Sequence, residues 1–330
     1  MRILDGRIDL FSRCNYRCIY CQNNTSKHTT PPWFSLNDLE RVLPVISREC
    51  WAVYLSCGGE PLLHPEFSEA MQLVKKHLRS NDVFLVTNGS QLDHKHREAI
   101  IDSAITRVQV SIHTLDSRLY SRLYGCPEET LQKVLTNVSQ FIKERGSGKY
   151  PRLTVTCIAM KSTIDSLADI ARWVVTNNID GMSVQWLIHF DTIGMEDEFI
   201  SNTTKCSAIF SEIEQILKKA GKHFEWPASF ASKKIVNTIK SILHHKNPVE
   251  YLYFNILKMI DSFSKHRCHI AGNYFWLKND GDIEVCHRKA LDLDNFFNGD
   301  KDAIIKKVRS AKKNIHFNEP PCIGCPYLKN

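Results

Sequence analysis

Three cysteines fall within eight residues near the start of the chain, in the run Cys14-Asn15-Tyr16-Arg17-Cys18-Ile19-Tyr20-Cys21. A loop this short can wrap three thiolates around one iron–sulfur cube. Three ligands for four irons leave one iron open, and an open position is what catalysis at a metal needs. The bland alternatives are a partial zinc site or ordinary loop cysteines. Zinc usually takes one pair of ligands and a later partner pair, which this isolated triplet does not offer.

A second set lies far downstream: Cys268, Cys286 and the pair Cys322-Ile323-Gly324-Cys325. Tyr274–Leu277 and Ile283–Cys286, separated by Lys-Asn-Asp-Gly-Asp, read as a hairpin that brings Cys268 near Cys286. Four thiolates can close a metal site. From spacing alone, zinc in a four-cysteine ribbon is a physical possibility. Five cysteines remain. Cys50, Cys157 and Cys206 read as small buried hydrophobes. Cys57 and Cys126 sit in loops where a thiol could serve chemistry, although burial is the ordinary reading for them too.

Gly58-Gly59-Glu60-Pro61 follows the second expected strand. A glycine pair exposes backbone carbonyls, and Glu60 adds a negative charge that suits an ammonium group. Most such pairs are only turns. Thr87-Asn88-Gly89 ends the third strand and reads equally well as a plain β-turn. The pairs His94/His96 and His244-His245 read as exposed helical residues rather than ligands.

These residues need a scaffold. Strands are expected at Ile8–Ser12, Ala52–Ser56, Val83–Thr87, Val108–Ile112, Leu153–Ala159 and Met182–Leu187. Helices are expected at Leu36–Ile46 with Ser35 as N-cap, near Glu66–Leu78, and at Asp93–Ser103, Thr130–Arg145 and Ile164–Asn177. Six strands alternating with five helices argue for parallel β/α architecture with right-handed crossovers. The strands are nearly continuous apolar or β-branched runs, as strands covered on both faces require. In such folds chemistry gathers at the C-terminal strand ends, and each motif above follows a strand. The domains expected are a core over 1–190, a helical connector over 191–265 and a cysteine-bearing module over 266–330.

The 330 residues are 43% apolar and 24% charged, an ordinary globular balance. No signal-peptide pattern opens the chain, and no run is long enough to span a bilayer, so a cytoplasmic protein with no membrane partner is expected. Twelve cysteines in that compartment point to metal or catalysis rather than disulfides. The net charge of +7 would suit an anionic partner. It is spread out, however, and nucleic acid is not the expected partner. Its densest stretch, Lys301 to Lys313, carries Ile304, Ile305 and Val308 on one face, as an amphipathic surface helix does.

With its CxxxCx-aromatic-C loop, the GGEP element after the second strand and TNG after the third, the chain resembles the radical S-adenosylmethionine (SAM) superfamily. The resemblance implies a partial (β/α)6 TIM-like barrel. It implies a 4Fe–4S cluster on Cys14, Cys18 and Cys21, with SAM on the open iron. Gly58, Gly59, Glu60 and Pro61 would line the SAM amino group, and the Tyr20 backbone would lie near the adenine. Ser111 and Arg122, or Arg118 in place of the latter, match positions that contact the carboxylate or ribose. The spacing of Cys268, Cys286, Cys322 and Cys325 resembles a Twitch module, the half-length relative of SPASM, whose four cysteines hold an auxiliary 4Fe–4S cluster. The longer SPASM pattern would need cysteines beyond Cys325.

The chemistry so implied is reductive cleavage of SAM, followed by abstraction of a hydrogen atom from an unactivated carbon. An electron donor such as flavodoxin or ferredoxin is implied with it. A small polar substrate, sugar- or aminocyclitol-like, and a net two-electron oxidation are expected. The rivals are a redox-neutral epimerase, in which Cys57 or Cys126 returns a hydrogen atom, a peptide-modifying maturase, an RNA-modifying enzyme and a non-catalytic iron–sulfur electron carrier.

Overall fold

The computed structural model describes residues 4–21, 31–56, 58–187, 195–200, 203–226, 274–284 and 295–314. The chain forms two compact units. One comprises Met1–Arg13, His28–Phe84 and Thr238–Asn330, and the other Cys14–Lys27 and Leu85–Asn237.

In the first unit, β1 (Leu4–Ile8) lies between two parallel partners. These are β2 (Cys50–Tyr54), paired Asp5 to Ala52, and β8 (Tyr274–Leu277), paired Asp5 to Tyr274. The strand β3 (Asp82–Thr87) pairs with β2 through Val53 and Val83. The strand β9 (Ile283–Glu284) closes the expected hairpin, antiparallel to β8. Helix α1 (Leu36–Glu49) is capped by Ser35, whose hydroxyl accepts the Asp38 N–H at 3.1 Å. Its buried stripe, Leu39, Val42, Leu43 and Ile46, has helical spacing, and burying each such side chain contributes roughly 1.5–3 kcal/mol. Helix α2 (Phe67–His77) buries Phe67, Ala70, Met71 and Val74 in the same way. Helix α8 (Lys301–Asn314) buries the expected Ile304, Ile305 and Val308.

In the second unit, α3 (His94–Ile101) and α5 (Thr130–Arg145) flank β4 (Arg107–Ser111), and α6 (Leu167–Thr176) joins β5 (Arg152–Ala159) to β6 (Gly181–Trp186). The order β4-β5-β6-β7, with β7 at His223–Glu225, is parallel throughout. Among the described residues, the strands of neither unit close into a barrel. The protein is thus an α/β protein built on an open, mostly parallel arrangement, as the alternation predicts.

Three elements differ from expectation. The first strand runs over Leu4–Ile8 rather than Ile8–Ser12. Asp5 and Arg7 interrupt the apolar run of this segment, but pairing on both sides imposes the strand, and the Arg7 guanidinium sits 5.6 Å from the Tyr54 ring. Helix α4 (Ser117–Tyr124) was not expected. Asp116 caps it by accepting the Leu119 N–H at 2.7 Å, and Gly125 ends it in a left-handed conformation at φ 59°. In the stretch read as helical, α7 (Thr203–Lys219) is followed by a strand, β7 (His223–Glu225), paired with β6. Among the described residues, no helix is long and apolar enough to cross a membrane.

Candidate active site

In the second unit, the cysteine loop is held by backbone bonds to the end of α4. Arg17 N–H donates to Tyr124 C=O and Ile19 N–H to Leu123 C=O, each at 3.0 Å. A Cβ on Gly125 would stand 2.6 Å from the Arg17 carbonyl oxygen, so this docking tolerates only glycine at the helix end. The loop closes on itself where Cys21 N–H donates to Cys18 C=O at 3.1 Å. Beneath it lies an aromatic cluster. Tyr120 and Tyr124 stack at 4.1 Å, Tyr16 meets Tyr124 edge-on at 5.7 Å, and Tyr20 meets it edge-on at 5.9 Å. Cys14, Cys18 and Cys126 all pack against this cluster.

The three loop thiols are only partly buried and form no disulfide. Cys14 Sγ faces the Tyr16 N–H at 3.4 Å and the Asn88 side-chain amide at 3.8 Å. Burial pushes the Cys18 thiol up to about 12, with a hydrogen bond from the Tyr20 side chain acting in the opposite direction. Burial also raises Tyr20, Tyr120 and Tyr124, which stay neutral phenols. His113, enclosed below Tyr20 and Tyr124, is held down to about 3 by burial and is a neutral imidazole. Its Nδ1 accepts the Ile158 N–H at 3.3 Å.

Of the other residues singled out in this unit, Ser111 ends β4, and its carbonyl accepts the Tyr124 hydroxyl at 2.9 Å. Arg118 and Arg122 are exposed on α4. Cys126 follows Gly125, and burial raises its thiol. Cys157 and Cys206 are fully buried, as is Cys50 in the first unit, all three as expected. His94 and His96 are helical residues beside Glu144 and Asp93, respectively.

In the first unit, Gly58–Pro61 is built into the exit of β1. Asp9, buried at 3% exposure, accepts the Gly58 N–H at 2.7 Å. A Cβ on Gly59 would lie 2.3 Å from the Phe11 carbonyl oxygen and 2.5 Å from that of Arg13. Glu60 N–H donates to Arg13 C=O at 2.9 Å, and Arg13 immediately precedes Cys14 in the chain. The Glu60 carboxylate is buried and accepts the Leu62 N–H at 3.2 Å, capping a short 3-10 turn over Pro61–Leu63. His64 then bridges Phe34 C=O at 2.7 Å and the Glu66 N–H at 3.1 Å. Gly59 is therefore packed backbone on backbone, and Gly58 lies against the Asp9 carboxylate, so the pair is not a loose turn. Cys57, Cys268, Cys286, Cys322, Cys325 and His244-His245 lie outside the described residues.

A family model, the Radical SAM superfamily, matches residues 8–174. The chain belongs to the radical SAM superfamily. A probable GTP 3′,8-cyclase of Thermococcus kodakarensis is 28% identical over 137 residues, 42% of this chain and 43% of that protein. The chain therefore spans less than half of that relative. A probable GTP 3′,8-cyclase of Sulfurisphaera tokodaii is 26% identical over 309 residues, 90% of this chain and 86% of that protein. The crystal structure of Streptococcus suis SuiB bound to S-adenosylmethionine covers 99% of this chain and 71% of its own, with a TM-score of 0.71 at 14% identity. That likeness concerns the fold.

A radical SAM enzyme uses a 4Fe–4S cluster and SAM, and the donor set fits such a cluster. Among the described residues, no three His, Cys, Asp or Glu groups gather around one ion. A cube needs no such gathering, because it spreads its thiolates over separate corners. The loop offers three thiols, and two N–H groups point at one sulfur, the arrangement that stabilises a ligated thiolate. Metal binding releases the thiol protons, which offsets the burial that keeps Cys18 protonated.

Asp9, Asn15, Asn88 and His113 were not identified from the sequence as site residues. Only Asn88 carried a signal there, as part of Thr87-Asn88-Gly89.

Proposed function

We propose that Cys14, Cys18 and Cys21 hold the catalytic 4Fe–4S cluster of this radical SAM enzyme. Gly58, Gly59, Glu60 and Pro61 receive the SAM amino group, with Tyr20, Ser111 and Arg122 as further contacts. The observation that carries this reading is the cysteine loop itself: it is pinned to α4 by two backbone bonds, closed by a turn, and two N–H donors face Cys14 Sγ. When bound, the cluster and SAM supply a one-electron reductive cleavage that ends in removal of a hydrogen atom from an unactivated carbon. The chain's own share is to fix the thiols, to meet a positive amino group with the buried Glu60 carboxylate, and to keep water from the sulfurs with the tyrosine cluster.

The substrate we favour is a small polar molecule with a sugar-like carbon, oxidised by two electrons. Cys268, Cys286, Cys322 and Cys325 would hold a closed auxiliary cluster able to take the second electron, and the proton passes to solvent. A second reading is cyclisation of a purine nucleotide, favoured by the name GTP 3′,8-cyclase of the relatives and compatible with the positive net charge. The test is anaerobic reconstitution with dithionite and SAM, reading 5′-deoxyadenosine, then incubation with sugars, aminocyclitols and GTP in deuterated water. Oxidation gives product two hydrogens lighter with one SAM consumed. Product one mass unit heavier, with deuterium lost in Cys57→Ala or Cys126→Ala, would overturn oxidation in favour of epimerisation. Conversion of GTP to a product of unchanged mass establishes the cyclase reading.

A further inference from the structure

We infer that Asn88 is a positioning residue that sets the reduction potential of the catalytic cluster through a hydrogen bond to the sulfur of Cys14. The inference rests on the assignment of Cys14 as a cluster ligand.

Asn88 follows β3 and is 8% exposed. Its amide has one possible orientation. Ser90 N–H, which can only donate, lies 2.9 Å from Asn88 Oδ1, so that atom is the oxygen. The NH2 group must then face the other way. It donates to Asn15 Oδ1 at 2.9 Å and reaches Cys14 Sγ at 3.8 Å. Asn15 is held in turn, since its own NH2 donates to Ser90 Oγ at 2.9 Å. The turn beneath is fixed by Gly89 N–H donating to Thr87 Oγ1 at 3.0 Å, and by Asn137 of α5 donating to Gly89 C=O at 2.9 Å. The oxygen and the nitrogen of the Asn88 amide are thus told apart, and the atom directed at the sulfur is the nitrogen.

Together with the Tyr16 N–H at 3.4 Å, Cys14 Sγ has two donors facing it. Hydrogen bonds to cluster sulfurs are one of the levers that set cluster potential. Reduction adds negative charge, part of which resides on the thiolates. A donor stabilises the reduced form more than the oxidised form, so removing it makes the cluster harder to reduce. A plain turn would use Asn88 only through its oxygen, to receive the Ser90 N–H. The inward N–H is what a turn does not need.

The experiment is a redox titration of the reconstituted full-length protein, following the cluster signal that SAM perturbs in electron paramagnetic resonance. Two variants are compared with wild type. Asn88→Ala removes the whole amide. Asn88→Ser keeps an oxygen that can accept the Ser90 N–H but loses the N–H aimed at Cys14. Both are expected to shift the reduction equilibrium against the reduced cluster by up to about tenfold, about 59 mV for one electron. An unchanged potential in Asn88→Ser with the cluster intact overturns the inference. So does failure of both variants to hold a cluster that wild type holds, which would make Asn88 a structural residue. Failure of the ligand assignment is read separately: the SAM-perturbed signal would then persist in Cys14→Ala.

Discussion

The imidazole of His113 lies 5.1 Å, centroid to centroid, from the ring of Tyr20, the residue between Cys18 and Cys21 that follows Ile19. It lies equally far from Tyr124. His113 is 2% exposed, so the floor of the cysteine loop contains an enclosed, neutral histidine.

That histidine predicts a pH dependence. Burial holds its folded pKa down to about 3, while in the unfolded chain it titrates near 6.5. Below pH 6.5 the unfolded state binds a proton that the folded state refuses, so stability falls as pH falls through that window. The loss is roughly 1.4 kcal/mol per pH unit, or about 2 kcal/mol between pH 6.5 and 5. His113→Gln should flatten the acid side of the stability curve by about this amount. Urea denaturation of iron-free protein at pH 7, 6 and 5 checks it. Parallel curves for the two proteins would show that His113 does not carry the effect.

Cys14→Ala, Cys18→Ala and Cys21→Ala should each abolish 5′-deoxyadenosine formation and leave a folded protein. If Cys268, Cys286, Cys322 and Cys325 hold a separate cluster, each variant should retain about half of the wild-type iron and sulfide after reconstitution. Turnover in any of the three would remove that cysteine from the ligand set.

Gly59→Ala should be more damaging than its size suggests. The added methyl would meet two carbonyl oxygens of the Phe11–Arg13 backbone, at 2.3 and 2.5 Å, and neither can swing aside as a side chain would. Strain of this kind costs typically 1–3 kcal/mol or more, and it falls on the residues leading into Cys14. The expected result is a lower melting temperature with reduced cluster loading. Wild-type stability and iron content in this variant would mean that the segment after β1 is freer than its packing implies.

Glu60→Gln separates charge from architecture. The glutamine retains an oxygen for the Leu62 N–H, so the 3-10 turn over Pro61–Leu63 survives. What is lost is the buried negative charge. A hydrogen bond to a charged group contributes about 1.5–3 kcal/mol, which predicts a SAM dissociation constant raised roughly tenfold or more. Equilibrium binding with unchanged affinity would leave Glu60 only its capping role.

Features carried by short-range spacing were legible in the sequence. Cys14, Cys18 and Cys21 share one short loop because they are close in the chain. Thr130–Arg145 forms its helix over the residues that its apolar periodicity marks, and Ser35 caps α1 because a hydroxyl three residues before Asp38 can reach its N–H. Local geometry decides such features, so local residues predict them. Tertiary structure decided the rest. The segment Leu4–Ile8 is a strand because Ala52 and Tyr274, the latter distant in sequence, flank Asp5 in register. Gly59 reads as half of a turn until the backbone of Phe11 and Arg13 is found against it. Asn88 and Cys14 stand 74 positions apart, and nothing in either residue's neighbourhood in the chain announces that an amide N–H will face a sulfur. Their meeting depends on where β3 ends and on how the cysteine loop docks on α4, and only the packing of the folded chain fixes both.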